Sequence, residues 1–238
     1  MLPYFLARLW ILFSDYVKTF LKSKNDELIY FDLETTGLNP YHDKIIEYSF
    51  IIPSKCPEDY YCNKYNLTSL VDPETKFSKK ITDITGIHPD MLEGKENITI
   101  HIDKIFRFIS NMFYIPFWTE RNIYLVAHNA TTFDKIFLMR ELNNYKNTTD
   151  KYVHTDNLYF IDTLLLSRKL FPELYSHSLK SLCEKFNIIP GTHRAIDDTI
   201  ALKAVTEKMV DILTIKIPYS KQYMLQNPKI IYDYINTY

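Results

Sequence analysis

The 238-residue chain is long enough to bury a full hydrophobic core, and its formal charge at pH 7 is only −1. This balance excludes the strongly basic class of proteins that bind nucleic acid through overall charge, so any contact with phosphates must come from a local patch or from bound metal. Three cysteines without a CxxC pair predict neither a disulfide framework nor a zinc module. They indicate an intracellular, reducing compartment such as the cytoplasm or nucleus.

Residues 1–24 have apolar side chains at helical spacing and predict an amphipathic helix. These side chains are Leu2, Phe5, Leu6, Leu9, Phe13, Tyr16, Val17 and Phe20. Arg8 and Asp15 interrupt the apolar run, so it lacks the roughly 20 apolar residues that span a membrane, and it has no signal-peptide pattern. We favour a terminal helix docked on the domain over a helix that binds a membrane surface or a partner.

The rest of the chain predicts one α/β domain over residues 25–214, followed by a tail, residues 215–238, packed on that domain. Three strand-like runs come first, over residues 27–35, 44–53 and 64–72, and a loop with one short helix follows over residues 73–92. Later segments alternate: helix 102–113, strand 122–129, helix 133–144, strand 158–162 and helices 162–171, 178–188 and 195–214. This order predicts a mixed sheet with antiparallel first strands, parallel later strands and helices on both faces.

Two carboxylates stand two residues apart in the first predicted strand. Because side chains alternate along a strand, Asp32 and Glu34 leave the same face. Their apolar neighbours Tyr30, Phe31 and Leu33 indicate a central strand, where two like charges are costly to desolvate. A divalent cation such as Mg²⁺ or Mn²⁺ would offset that cost, and we favour this interpretation over an edge strand with solvated acids.

A second group of polar residues lies in the segment LVAHNATTFD, residues 125–134. An apolar strand ends at His128 and Asn129, and a helix begins near Phe133, with Asp134 at its start. Such junctions are where α/β sheets bind ligands. Each residue also has a simpler interpretation, because Asp134 could satisfy the helix end and Asn129 could be only a turn residue.

The third group is GTHRAIDD, residues 191–198. His193 lies just before a helix that begins near Ala195, and Asp198 lies in the first turn of that helix. Taken alone, the pair is weak evidence, because an acid early in a helix usually stabilises the helix end and a loop histidine is usually only solvated.

Together, FDLETTG, HNATTFD and HRAIDD, in this order, resemble the three motifs of the DnaQ-like DEDDh exonucleases. The similarity covers about residues 27–208 and implies a ribonuclease H-like fold. His128 and Asp134 are six residues apart, where the family's bacterial proofreading subunits have five. The longer form is more similar to the three-prime repair exonucleases, although their proline-rich insertion is absent.

The resemblance implies two divalent ions, Mg²⁺ or Mn²⁺, bound by Asp32, Glu34, Asp134 and Asp198. It implies His193 as the general base, and the motif H-x-A-x-x-D selects Asp198 rather than the adjacent Asp197 as the metal ligand. It also implies four residues that hold the last nucleotides: Thr35, Thr36, Ile87 and Asn129. Two metals about 3.5–4 Å apart can activate water and stabilise both reacting oxygens, and a histidine can accept the proton of the water.

We therefore expect a metal-dependent 3′→5′ exonuclease that releases nucleoside monophosphates from single-stranded or frayed 3′ ends. DNA is favoured over RNA because the motifs resemble those of proofreading and repair enzymes. The alternatives are an exoribonuclease of the same family and a catalytically inactive nucleic-acid-binding docking module. A module of that kind would not need all five catalytic residue types. A polymerase or a second copy of the chain is the expected partner, and membrane contact through residues 1–24 is less favoured.

Five other charged residues receive structural interpretations. Asp162 precedes a helical run and is predicted to cap it, and Glu47 is interpreted as structural or solvated. Lys79, Lys80 and Arg194 lie near the motifs, where they could add positive charge, but ordinary surface positions are favoured.

Overall fold

The computed structural model describes residues 26–53, 65–110, 122–148 and 155–237. The helix predicted over residues 1–24 lies outside the described residues. Within the described part of the chain, no helix combines the length and the apolar character needed to cross a membrane.

Five strands form one mixed sheet. They are β1 (Glu27–Thr35), β2 (Ile45–Ile51), β3 (Asn66–Leu70), β4 (Ile123–Ala127) and β5 (Leu158–Asp162). Their spatial order is β3-β2-β1-β4-β5, which makes β1 the central strand. The pairs β1–β2 and β2–β3 are antiparallel, whereas β1–β4 and β4–β5 are parallel. The predicted combination of antiparallel first strands and parallel later strands is confirmed.

Eight α-helices lie in the described residues, and a 3₁₀ turn lies at Pro89–Met91. They are α1 (Lys79–Thr85), α2 (Ile98–Ser110), α3 (Asp134–Thr148), α4 (Thr163–Leu170), α5 (Leu179–Phe186), α6 (Ala195–Lys216), α7 (Lys221–Gln226) and α8 (Lys229–Asn236). The helices α7 and α8 lie in the segment predicted to be a tail, residues 215–238. The Ser220 side chain caps α7 by accepting the Tyr223 N–H, and Pro228 stands at the start of α8, where proline is tolerated. Buried Met224, Ile231 and Ile235 pack this segment against the domain.

The two faces of the sheet carry separate hydrophobic cores, and β1 contributes to both. Ile29, Phe31 and Leu33 pack in one core with residues of α2 and α3. Leu28 and Tyr30 pack in the other core with residues of α4 to α8. Because side chains alternate, Asp32 and Glu34 continue the row of Leu28 and Tyr30. The two carboxylates therefore emerge on the face that α6 covers, and α6 contacts both β1 and β2.

Candidate active site

The site is built first on the end of β1. Asp32 and Glu34 are partly buried, whereas the apolar residues that alternate with them, Phe31 and Leu33, are buried. In the antiparallel ladder with β2, Glu34 lies directly opposite Glu47. The central position of β1 thus places two acids where water has limited access, and such groups need a compensating charge.

Helix α6 brings the third carboxylate to this face. Its first turn contains Asp197 and Asp198, and the Asp198 N–H donates to the Arg194 carbonyl over 3.0 Å. One carboxylate oxygen each from Asp32, Glu34 and Asp198 can be chosen so that all three lie within 4.8 Å of one another. Three anionic oxygens at this spacing form the donor set that Mg²⁺ and Mn²⁺ prefer.

A close backbone approach keeps Asp198 in this position. A Cβ atom added at Gly191 would lie 2.7 Å from the Asp198 carboxyl carbon and 2.8 Å from its backbone nitrogen. Only glycine allows the loop before α6 to fold this tightly over the first turn of the helix. The motif GTHRAIDD does not by itself indicate this role of Gly191, because the restriction comes from a residue seven positions later.

Asp134 supplies a fourth acid from the start of α3. It is 2% exposed, and its Oδ1 has no hydrogen-bond partner within the described residues. It lies outside the group of three that share the 4.8 Å spacing. Its charge nevertheless raises the pKa of Asp32, after the larger effect of burial. A buried carboxylate oxygen without a partner is costly, so Asp134 also fits a site that holds a cation.

Burial is the main reason why all four acids have raised pKa values. It raises the pKa of Glu34 to about 8, that of Asp134 to about 7 and that of Asp198 to about 6. Burial and then repulsion from the other acids hold the pKa of Asp32 well above its usual range. A divalent cation at this place would favour the charged forms and reverse these shifts.

His193 lies near Asp198, on the loop that leads into α6. Its side chain is exposed, and its backbone has a φ of +58°, in the left-handed region that residues other than glycine rarely occupy. The histidine is close enough to lower the pKa of Asp198, although burial has the larger, opposite effect. The structure therefore brings the candidate base and this candidate ligand together.

The hydroxyl groups of the two predicted nucleotide-binding threonines make contacts within their own loop. The Thr35 hydroxyl donates to the Gly37 carbonyl over 2.6 Å. The Thr36 hydroxyl donates to Asp43 over 3.0 Å and accepts the Lys44 N–H over 2.9 Å. These bonds fix the loop immediately after Glu34.

The other two predicted nucleotide-binding residues differ in position. Asn129 follows β4 with a φ of +64°, and its N–H donates to Asp162 over 3.1 Å. Ile87 is fully buried in a small core with Ile46 and Leu92. Asn129 thus lies in the turn that leads to Asp134, whereas the side chain of Ile87 is closed off from solvent in its small core.

Asp162 has a wider role than the predicted helix cap. It caps α4 by accepting the Leu164 N–H over 3.0 Å. It also accepts the backbone N–H groups of Asn129 and Thr131, over 3.1 and 2.9 Å. This buried carboxylate therefore fixes the turn between β4 and α3. Since Asp134 follows that turn, the same bonds set its position.

Two basic residues near the motifs, Lys79 and Arg194, have different surroundings. Lys79 pairs with Asp83 on the exposed surface of α1, as expected for an ordinary surface residue. Arg194, in contrast, pairs with the buried carboxylate of Glu47. The sequence indicated no partner for either Arg194 or Glu47.

Comparison with known proteins gives a consistent result. Residues 29–206 match the model of the RNase_T exonuclease family. The chain is 34% identical over 194 residues to the PolC-type DNA polymerase III of Bacillus subtilis, covering 79% of this chain and 12% of that protein. It is 31% identical over 213 residues to the same polymerase of Thermotoga petrophila, covering 89% of this chain and 14% of that protein. The chain thus spans only a small part of these relatives.

Solved structures with a similar fold include two exonucleases. The zinc-bound complex of Escherichia coli exonuclease I with single-stranded DNA gives a TM-score of 0.62 at 20% identity, covering 90% of this chain and 43% of that one. Exonuclease X in complex with 5′-overhanging duplex DNA gives a TM-score of 0.52 at 22% identity, covering 83% of this chain and 97% of that one. The expected ribonuclease H-like fold is confirmed.

Proposed function

The chain belongs to the DnaQ-like DEDDh exonuclease family, and on that premise we propose that it is a metal-dependent 3′→5′ exonuclease of DNA. The observation that carries the proposal is the convergence of Asp32, Glu34 and Asp198, whose carboxylate oxygens lie within 4.8 Å of one another. The reaction would release nucleoside monophosphates from single-stranded or frayed 3′ ends.

In this proposal four acids hold the metal: Asp32, Glu34, Asp134 and Asp198. Two divalent ions, Mg²⁺ or Mn²⁺, would activate water and stabilise charge on the scissile phosphate. The strand geometry of β1 presents two of the acids rigidly, and α6 and α3 each contribute one more. The buried, unpartnered Oδ1 of Asp134 supports its inclusion as a fourth ligand.

We propose His193 as the general base. Its imidazole is exposed, so it can take a proton from water and pass it to solvent. Its position beside Asp198 supports this role. We propose that Thr35, Thr36, Ile87 and Asn129 bind the terminal nucleotide.

The preference for DNA is supported by the relatives. The PolC-type relatives are DNA polymerases, and the structure of E. coli exonuclease I contains single-stranded DNA. The same likeness leads us to propose association with a DNA polymerase, and a homodimer is the alternative. We also keep the prediction of a reducing compartment, because Cys183 is free and buried.

The proposal is tested with single-stranded DNA and RNA of one sequence, each labelled at the 5′ end. A ladder that shortens from the 3′ end in Mg²⁺ and stops in EDTA is expected, with DNA cut faster than RNA. Faster cutting of RNA would indicate the exoribonuclease instead. Intact binding without cleavage of either strand would indicate a docking module.

A matched pair of variants assigns the activity to the carboxylate cluster. Asp198→Asn should lower kcat at least about 100-fold, because it removes a proposed ligand directly. Asp197→Asn is the control, since that carboxylate lies in the same helical turn but accepts the Thr192 hydroxyl instead. Equal losses in both variants would contradict the assignment of Asp198.

A further inference from the structure

Glu47 is a buried acid beside the candidate metal ligands, and its role is not explained by the proposed chemistry. It lies on β2, directly opposite Glu34, and is 1% exposed. It is nevertheless not part of the group of three acids that share the 4.8 Å spacing. A buried carboxylate is tolerated only when charged or hydrogen-bonded partners satisfy it.

Both oxygens of Glu47 are occupied by the start of α6. Oε1 accepts from Nη2 of Arg194 over 2.6 Å, and Nε of Arg194 lies 3.1 Å from each oxygen. Oε2 also accepts the backbone N–H of Ala195 over 2.9 Å. Because these bonds use the carboxylate on both sides, Glu47 faces α6 rather than a metal.

These contacts replace a helix cap that the local sequence does not provide. The first N–H groups of a helix need acceptors, and the N-cap residue of α6, Arg194, makes no side-chain capping bond. Glu47 supplies the acceptor to Ala195, the first residue of the helix, from a different element of the fold. The first turn of α6 is therefore tied to β2 rather than capped by its own chain.

This tie determines where the catalytic groups of the motif lie. Asp198 is in the turn that begins at Ala195, and its N–H bonds to the Arg194 carbonyl over 3.0 Å. His193 directly precedes Arg194. Since β2 pairs with β1, a bond from α6 to β2 sets the distance between Asp198 and the acids on β1.

We propose that Glu47 is a positioning residue that acts through Arg194 and Ala195 to hold Asp198 against Asp32 and Glu34. This inference rests on the proposed function, because it assumes that these acids bind the metal. It differs from that function in assigning a role to a residue that touches neither metal nor nucleic acid.

The test compares Mn²⁺ binding, measured by titration calorimetry, in wild type and Glu47→Gln. The amide keeps the size of the side chain but loses the charge and one of the two acceptor oxygens that Arg194 and Ala195 share. We expect Mn²⁺ affinity and kcat each to fall roughly 10–100-fold, as for other outer partners of metal ligands, with little change in KM for DNA.

Tyr48→Phe is the matched control. Tyr48 is the next residue on β2, is fully buried, and bonds His101 on the opposite face of the sheet over 2.9 Å. Its variant loses a buried hydrogen bond without affecting the start of α6. We expect a lower unfolding temperature with wild-type Mn²⁺ affinity. Wild-type affinity in Glu47→Gln, or an equal loss in Tyr48→Phe, would overturn the inference.

If Glu47→Gln does not fold, Arg194→Lys carries the test. It keeps the positive charge but loses the planar fork that binds Glu47, so roughly a 10-fold loss of Mn²⁺ affinity is expected. Unchanged affinity in that variant would overturn the inference as well. Because Mn²⁺ affinity is measured directly, a wild-type protein that binds Mn²⁺ but cuts no DNA would contradict the proposed function and still decide the role of Glu47.

Discussion

Replacing Gly191 with alanine tests how strictly the position of Asp198 controls activity. The new Cβ would lie 2.8 Å from the Asp198 nitrogen and 2.7 Å from its carboxyl carbon, whereas ordinary contact begins at 3.4 Å. The backbone must therefore open by 0.6 Å, the difference between 3.4 and 2.8 Å, to restore ordinary contact. Oδ1 of Asp198 is closer to the added Cβ than the nitrogen or the carboxyl carbon of Asp198 is. This oxygen must therefore move further than the backbone, on the order of 1 Å.

A displacement of this size should reduce catalysis much more than stability. Misplacing a reacting group by about 1 Å can lower a rate about 100-fold, and we expect that loss in kcat for Gly191→Ala. Overpacking destabilises by about 1–3 kcal/mol, partly offset by about 0.4–1 kcal/mol from the stiffer unfolded chain. The folded protein should therefore survive, and its kcat on single-stranded DNA can be measured at saturating Mg²⁺.

Gly94→Ala is the control for a glycine substitution in general. Gly94 has a φ of +71°, so alanine there is strained, but no heavy atom lies within 4 Å of the added carbon. We expect this variant to lose stability and keep its kcat. A Gly191→Ala enzyme with the kcat of wild type would refute the reasoning, as would an equal loss of kcat in Gly94→Ala.

Three further outcomes are expected. The metal-free protein should lose stability as pH rises from about 4 to 8, because folded Glu34, Asp134 and Asp198 keep protons that the unfolded chain releases. The free energy of unfolding should fall by about 1.4 kcal/mol per pH unit for each proton that the folded state binds and the unfolded state does not. Chemical denaturation should show this slope, and Mg²⁺ should remove it. A His193→Ala variant should lose roughly 10²–10⁴-fold in kcat, while its Mn²⁺ affinity measured by calorimetry stays unchanged. A variant with the kcat of wild type would exclude His193 as the general base. Asp162→Ala should destabilise by at least about 1–3 kcal/mol in thermal unfolding, because several backbone N–H groups lose their acceptor; an unchanged transition would contradict this.

The sequence could predict the sheet and the positions of the acids because both follow from local rules. Alternation along β1 places Asp32 and Glu34 on one face, and the order of strands and helices gives the mixed sheet. The resemblance then connects these acids with Asp198. These predictions do not require knowledge of which distant residues contact each other in the fold.

What the sequence could not predict depends on contacts between distant residues. Glu47 reads as an ordinary strand acid, because its partners lie 147 and 148 positions later. The motif resemblance locates the segment that contains Ile87 but not the direction of its side chain, which is buried. The helices after residue 214 form because Met224 and Ile231 have a core to pack against, and helices this short gain most of their stability from such packing.

The acidic site and the small net charge of the chain together constrain how a polyanion can bind. Asp32, Glu34 and Asp198 concentrate negative charge at the end of the central strand β1, and Asp134 adds to it. The guanidinium of Arg194 is already paired with Glu47. Without cations, the ionised site would repel the phosphates that it is proposed to cleave. We therefore expect the metal to serve binding as well as chemistry, because a cation would offset both the burial and the repulsion that raise the pKa values of the acids. In this arrangement Glu47 can add one more negative charge near the centre only because its own pairing with Arg194 compensates it.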